Sequence, residues 1–511
     1  MRGCTERLRR GTKGRTCALP EQQLPLHLSY EPDDYLCTWI IPDGKGGSAE
    51  LPGHLEVAPQ RAPRGSVYGS IPLERDASQE GVVSISFPQV VEVPALTGTL
   101  ANGGSVVLLG ARITYWSMGQ GNLSGSAALL GKGRESFGRP SSKAVSDHAS
   151  SEPLISSVKF QVTGLDSILG TAPIKSVQTP GMHPDNPKGL WSANLDLEAG
   201  GEWAEEGVAL SVGYDGRMRA MDAYEFRLAF SPVATFTMGQ SVPLRTVMDD
   251  FVEPLRRIVS IATGKSQALT YVAVELEDRP GLHQVFGTGI TQCPFASSSE
   301  EIRSGNSAVR IAADGLSLLD LVLKWRQYAS VHHPLVETYG SMLHAGDQHP
   351  RSRFLLLIQA LEGLHGHETQ EEYSKRKADH LSRRESVIAG LEDQVDRDTM
   401  KFLKKSLSKS PPASLDSALN AMVSGLPVDT MDRLAKTSLV TEAMSEPPVP
   451  TTTASALRVV RNNLAHGNRG YEAHKLDKAV GILELIVRGH SLRILGCPDH
   501  VVERVFNEAQ A

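Results

Sequence analysis

The sequence predicts a two-domain α+β chain: a β-rich, sandwich-like domain over residues 35–300, then an all-α domain over 301–511. Three observations carry this. Of the 47 glycines and 30 prolines, 34 and 21 fall before residue 301, so turns crowd the first part and thin out afterwards. The apolar segments of the first part are short and rich in β-branched residues, the pattern of strands between turns in a sandwich or a barrel-like sheet. After 301 the apolar residues recur at three-to-four spacing, the helical period.

The predicted strands cover 82–87, 89–93, 105–115, 154–162, 208–212, 225–230 and 235–238. Residues 131–151 are polar and rich in Gly and Ser, which reads as a mobile loop. One helix interrupts the strands at 242–263, with Pro243 suited to its first turn, Gly264 to the C′ position, and Pro254 expected to kink or split it. A strand at 268–276 follows, and this helix–strand pair is expected to close the first domain. Trp39 and Trp325 read as core residues.

In the second part, 316–343 reads as a long helix interrupted near Pro334, and 353–365 as a helix with Phe354, Leu357, Ile358, Leu361 and Leu364 on one face. Residues 368–409 mix ten basic with nine acidic side chains, a solvated helical surface rather than a binding patch. Helices follow at 415–423, 429–444 with Asp429 as N-cap, 451–466 after the prolines at 447, 448 and 450, and 472–495, whose stretch 479–487 is apolar nearly all round and expected to be buried.

Composition narrows the function. The net charge of −6 gives no global field for nucleic acid or membrane, so a nucleic-acid role needs a local site. No apolar run approaches the ~20 residues of a membrane span. Five scattered cysteines (Cys4, Cys17, Cys37, Cys293, Cys497) without Cys-x-x-Cys fit a reducing cytoplasm. Residues 1–34 begin with Arg2, Arg7, Arg9, Arg10, Lys13 and Arg15 against Glu6, with no apolar run of a signal peptide behind them, and read as a flexible arm.

Most short motifs fail. Gly264-Lys265-Ser266 lacks the glycine five residues earlier that a phosphate-binding loop needs, since Val259 stands there inside a helix. His332-His333 and His365-x-His367 are metal-ligand pairs only on paper, and no metal or other cofactor is expected. Arg461-Asn462-Asn463-Leu464-Ala465-His466 survives. An arginine and a histidine on one helix end can both reach a phosphodiester: the guanidinium forks onto phosphate oxygens and the imidazole moves a proton near neutral pH. Asn462 stands at i,i+4 from His466, placed to orient the ring or bind phosphate. A second Arg-x4-His pair, Arg469 and His474, straddles a turn marked by Gly470. On spacing alone, the plainer reading of His466 is a helix-terminal cation before a Gly cap.

The C-terminal part resembles the HEPN superfamily of all-helical domains, whose RNases carry Arg-x4–6-His with a polar residue after the arginine, as Arg461, Asn462 and His466 do. More narrowly, the chain is similar to the ApeA-type single-protein phage-defence family through Asp249-Asp250-Phe251 to Gly264, Leu316 to Tyr339, Arg353 to Glu362 and Arg461 to Gly467, taken in that order. The resemblance implies a metal-independent endoribonuclease with Arg461 and His466 catalytic, Asn462 and Glu362 supporting, and Glu362 bracing the arginine. It implies a homodimer or higher oligomer with a composite site across a two-fold interface, RNA as substrate, and a phage-derived trigger at the β-rich domain, with activation on infection. Two rivals stand beside it. One is a non-enzymatic interaction or sensor protein that uses the helical domain for dimerisation. The other, a toxin paired with a nucleotidyltransferase, fits less well because such toxins are short.

Overall fold

The computed structural model describes residues 26–42, 47–69, 76–79, 82–84, 89–117, 119–132, 152–179, 192–219, 227–298, 307–343, 348–392, 394–411, 414–447 and 449–507. Residues 1–25 and most of the predicted loop at 131–151 lie outside these. The first strands are β1 (Asp34–Pro42), β2 (Ser48–Glu56), β3 (Arg64–Tyr68), β4 (Asp76–Gln79), β5 (Val82–Ser84), β6 (Gln89–Leu100), β7 (Ser105–Ser117), β8 (Gln120–Ser124), β9 (Ala127–Gly131) and β10 (Leu154–Val162). After the short helix α1 (Leu165–Leu169) come β11 (Ile174–Gln178), β12 (Ser192–Leu195), β13 (Gly201–Glu205), β14 (Val208–Arg219) and β15 (Arg227–Pro243). Helices α2 (Leu244–Val247) and α3 (Glu253–Thr263) flank a π-helical turn at Met248–Val252, and β16 (Leu269–Leu276) and β17 (Arg279–Gly287) follow.

The chain is β-rich up to about residue 290 and helical from about 350, as its sequence reads. Thirteen of the strands run in the order β13-β14-β15-β10-β16-β17-β9-β7-β6-β1-β2-β3-β8. Because β8 also pairs with β7, the strands β7-β6-β1-β2-β3-β8 hydrogen-bond in a closed ring, which leaves no unpaired edge among them. Trp39 of β1 is fully buried beside the ring's core side chains. Its β6 partner is Gly98, and a Cβ there would come within 2.9 Å of the indole, so glycine makes room for the ring.

Grouped by contacts, the described residues up to 165 with 171–244 and 268–298 form one unit. Residues 166–170, 245–267 and those from 307 onward form the other. Three differences from the sequence reading stand out. Residues 26–30, expected to be part of a flexible arm, are packed. Leu26 and Leu28 join Val233, Tyr271 and Ala273, and Gln284 Oε1 accepts the Ser29 and Tyr30 amides at 2.8 and 3.0 Å. The alternation of buried Leu26, Leu28 and Tyr30 is the signal that the basic start obscured. Pro243 ends strand β15, paired with Leu154, instead of opening the helix. The helix at 245–263, expected to close the β-rich domain, groups with the helical unit.

The division of that helix has a local cause. Pro254 has no N–H and its ring crowds the carbonyl four residues back. The π-helical turn absorbs this: the Glu253 N–H donates five residues back, to Met248 O, and α3 restarts with Pro254 in its first turn. Gly264 terminates it at φ 68°, as expected of a C′ glycine.

The helical unit continues through α4 (Ile311–Asp314), α5 (Leu318–Ser330), α6 (Pro334–Leu343), α7 (Pro350–Glu368), α8 (Gln370–Leu391) and α9 (Arg397–Ser406). Then come α10 (Leu415–Ser424), α11 (Thr430–Ala435), α12 (Ser438–Ser445), α13 (Thr453–His466), α14 (Ala473–Ile494) and α15 (Asp499–Asn507). Helix α7 buries Phe354, Leu357, Ile358, Leu361 and Leu364, the predicted face. Truncating one such leucine to alanine costs about 2–5 kcal/mol, so this face fixes where α7 sits. The helix expected at 429–444 is two helices: Asp429 caps α11, accepting from the Asp432 amide, and Thr437 caps α12, accepting from the Val440 amide.

Within this unit the buried Arg488 of α14 holds the end of α3. Its Nε donates to the Ile261 carbonyl and its Nη2 to the Ala262 carbonyl, both at 2.6 Å. These are last-turn carbonyls with no helical partner, which a buried guanidinium satisfies while placing its charge at the negative end of the helix.

Candidate active site

Helix α13 carries Arg461, Asn462 and His466, and its ends are well determined. A reciprocal capping box opens it: the Ser455 amide donates to Thr452 Oγ1 at 3.1 Å and the Thr452 amide to Ser455 Oγ at 3.0 Å. Leu457, Val460 and Leu464 are buried along one stripe. Gly467 at φ 69° closes it, with the Gly467 and Asn468 amides donating to the Asn463 carbonyl. Arg461 and Asn462 are half-buried, while His466, the last helical residue, is exposed.

Helix α7 meets the motif at two points. Glu362 Oε2 stands 3.8 Å from Arg461 Nη2. Eleven residues earlier, Arg351 Nη2 donates to the Leu464 carbonyl. The C-terminal turn leaves that carbonyl without a helical donor, so Arg351 satisfies it and places a cation where the dipole favours one. The Arg351 amide is itself held by His349 Nδ1 at 3.1 Å, and Arg353 is bonded to Glu484 of α14. The first caps α7 and the second ties it to α14.

Asn462, expected to orient the histidine or bind phosphate, accepts from Arg461 Nη1 at 3.2 Å. Beyond Gly467, Asn463 Nδ2 donates to Tyr471 Oη at 2.9 Å, Arg469 lies over the Tyr471 ring at 4.8 Å, and Arg469 is ion-paired with Glu442 and Glu446. The second Arg-x4-His pair is therefore committed elsewhere: Arg469 to those carboxylates, His474 to Glu472 at 3.4 Å. Arg351 was not legible as a site residue; its sole signal is a place in the first turn after Pro350, where Arg is commonplace.

Two of the paper metal pairs meet in space. The His333 and His367 rings are 4.4 Å apart, centroid to centroid, at 62°. Burial, and next the charge of His367, pull the His333 pKa down to about 4, with Glu368 opposing. His333 Nδ1 accepts the Leu335 amide at 3.3 Å, the role of a neutral ring. Among the described residues no group of three or more His, Cys, Asp or Glu is placed to hold a metal ion, and no helix is long and apolar enough to cross a membrane.

A half-exposed guanidinium braced by a carboxylate, with an imidazole one and a half turns further along the same helix, suits binding and proton transfer at a phosphodiester. No curated protein and no solved structure matches the chain. The family model for ApeA N-terminal domain 1 matches residues 35–325, more than half of the sequence and inclusive of helix α3 and most of α5. The chain thus belongs to the ApeA family of anti-phage defence proteins.

Proposed function

We propose that the helical unit is a HEPN-type, metal-independent endoribonuclease whose product is RNA cut during phage infection. The observation that carries this reading is the Glu362–Arg461 pair at 3.8 Å, formed on the helix whose end presents His466. A carboxylate bracing the arginine was expected from the resemblance alone, and it joins two helices distant in sequence.

The chemistry follows from the groups. One imidazole accepts the proton of a ribose 2′-OH, whose oxygen attacks the adjacent phosphorus. The P–O5′ bond breaks, the 5′ oxygen leaves with a proton from a second acid, and a 2′,3′-cyclic phosphate remains. Arg461 binds the phosphoryl oxygens on which charge develops. One chain supplies one such histidine, so a base and an acid together call for two copies of the unit about a two-fold axis. The β-rich unit then serves as the sensor that restrains the nuclease until infection. DNA lacks the nucleophile and is spared.

Purified full-length protein, incubated with RNA and with DNA of the same sequence in the presence of EDTA, tests this. Cyclic-phosphate ends on RNA alone support the reading. Intact RNA from a folded dimer under every triggering condition tried moves the protein to the rival, an interaction module dimerised by its helices.

A further inference from the structure

The charge sum of −6 left any nucleic-acid role dependent on a local site, and the helical unit has an unassigned concave one. A basin of about 840 Å³ lies between α11, α12 and the start of α14. Four cations line it (Arg433, Lys436, Lys475 and Lys478) against one acid, Glu442. That acid is already spoken for. Lys475 donates to it at 2.9 Å and Arg469 pairs with the other oxygen, and the hydrogen bond from Lys475 leads in holding the Glu442 carboxyl below the usual carboxylate range. The remaining lysines face water: among the described residues the Lys436 side chain pairs with Asp432, on its own helical face with 73 % of it exposed, and Lys478 is exposed. An exposed i,i+4 pair is weak and screened by water, so a phosphate displaces Asp432 cheaply. Hydroxyls of Thr437, Ser438 and Thr441 line the same floor. Finally, Arg469, three residues after His466 in the sequence, is ion-paired with Glu442 of the basin's lining, which ties the segment after the motif to the basin.

The geometry points to this basin as a phosphate-binding subsite for the single-stranded RNA flanking the scissile bond. The identity of the ligand as RNA rests on the nuclease reading; the cation lining does not. Point charges among hydroxyls track a backbone without reading bases, so the subsite contributes affinity and reach rather than sequence choice.

The test is fluorescence anisotropy of a labelled 20-nucleotide single-stranded RNA on full-length His466→Ala protein, which leaves the strand uncut. Lys436→Glu/Lys478→Glu is compared with Lys375→Glu/Lys377→Glu on the exposed helix α8, a reversal of equal total charge. Lys436→Gln/Lys478→Gln checks that the loss does not come from new repulsion. The expected result is about a tenfold or greater loss for both basin pairs, with the log K against log salt slope shallower by about 1.4, two single-strand phosphate contacts. Unchanged binding, or an equal loss from the α8 pair, overturns the subsite. Cleavage by the His466-intact protein is scored apart. Basin-dependent binding without any cleavage ends the nuclease reading and leaves the subsite, whereas cleavage with basin-independent binding ends the subsite alone.

Discussion

Glu362 and Arg461 approach to 3.8 Å with 45 % and 35 % of their side chains exposed, so the carboxylate touches the guanidinium in contact with water. A wet pair of this length contributes about 0–1 kcal/mol to stability. Its value is orientational: Glu362 holds Nη2 and Asn462 accepts from Nη1, which fixes the guanidinium plane and leaves its remaining N–H groups for a ligand. Glu362→Gln should therefore leave the melting temperature within about 4 °C of wild type and lower RNA cleavage about tenfold or more. A large fall in melting temperature with cleavage intact would make Glu362 a structural residue. Arg461→Lys should not rescue, because an ammonium cannot replace the planar fork.

Arg351 is expected to matter in proportion to the carbonyl it satisfies. Arg351→Ala removes the donor to Leu464 and should cost about 1 kcal/mol, with faster hydrogen exchange in the segment that ends α13. Exchange measured by mass spectrometry on peptides spanning 457–470 checks this; unchanged protection there would mean that the contact holds nothing.

The junction of α3 with α14 should be the most sensitive point tested. Arg488→Met removes the donor to the Ile261 carbonyl in a buried setting, at about 1–3 kcal/mol, whereas the Ala262 carbonyl keeps the Ala308 amide at 2.9 Å. Gly264→Ala puts a Cβ 2.8 Å from Arg488 Nη1 at a φ of +68° and should cost about 1 kcal/mol or more. Urea midpoints of both variants decide; shifts within error would overturn the assignment of this contact.

Much of the fold was legible because it is written in local rules. Gly and Pro density separated the sheet from the helices, and the caps at Asp429, Gly264 and Gly467 were read from residue type alone. What was missed depends on distant partners. That helix 245–263 belongs with the helical unit follows from Arg488, a lone charge between Val487 and Gly489 in an apolar run, whose meaning needs the carbonyls it meets. Ring closure needs β7 to pair with β8 as well as β9. At the site, Arg461, His466 and Glu362 were legible through the motif and the resemblance. Arg351 was not, since its role is set by a carbonyl more than a hundred residues on.

Acid should weaken the native state through two histidines. Burial drives both His333 and His490 down to about 4 from 6.5. His490 is held neutral in place by donating to the Met422 carbonyl at 2.7 Å while accepting from Arg493 Nε at 3.2 Å. The folded value lies below the unfolded one, so the stabilisation is fully present above about pH 6.5 and lost progressively as pH falls towards about 4. Melting temperature against pH should drop steeply across that window, and His333→Phe should flatten part of the slope. A profile level from pH 7 to 4.5 would contradict this.

The central claim, that Arg461 and His466 cut RNA, is tested most directly in phage-infected cells expressing wild type, Arg461→Ala or His466→Ala at matched abundance and melting temperature, with total RNA integrity as the readout. The account predicts RNA loss in the wild type alone, with protection from phage abolished in both variants. Intact RNA in all three, with protection retained by the variants, would contradict it.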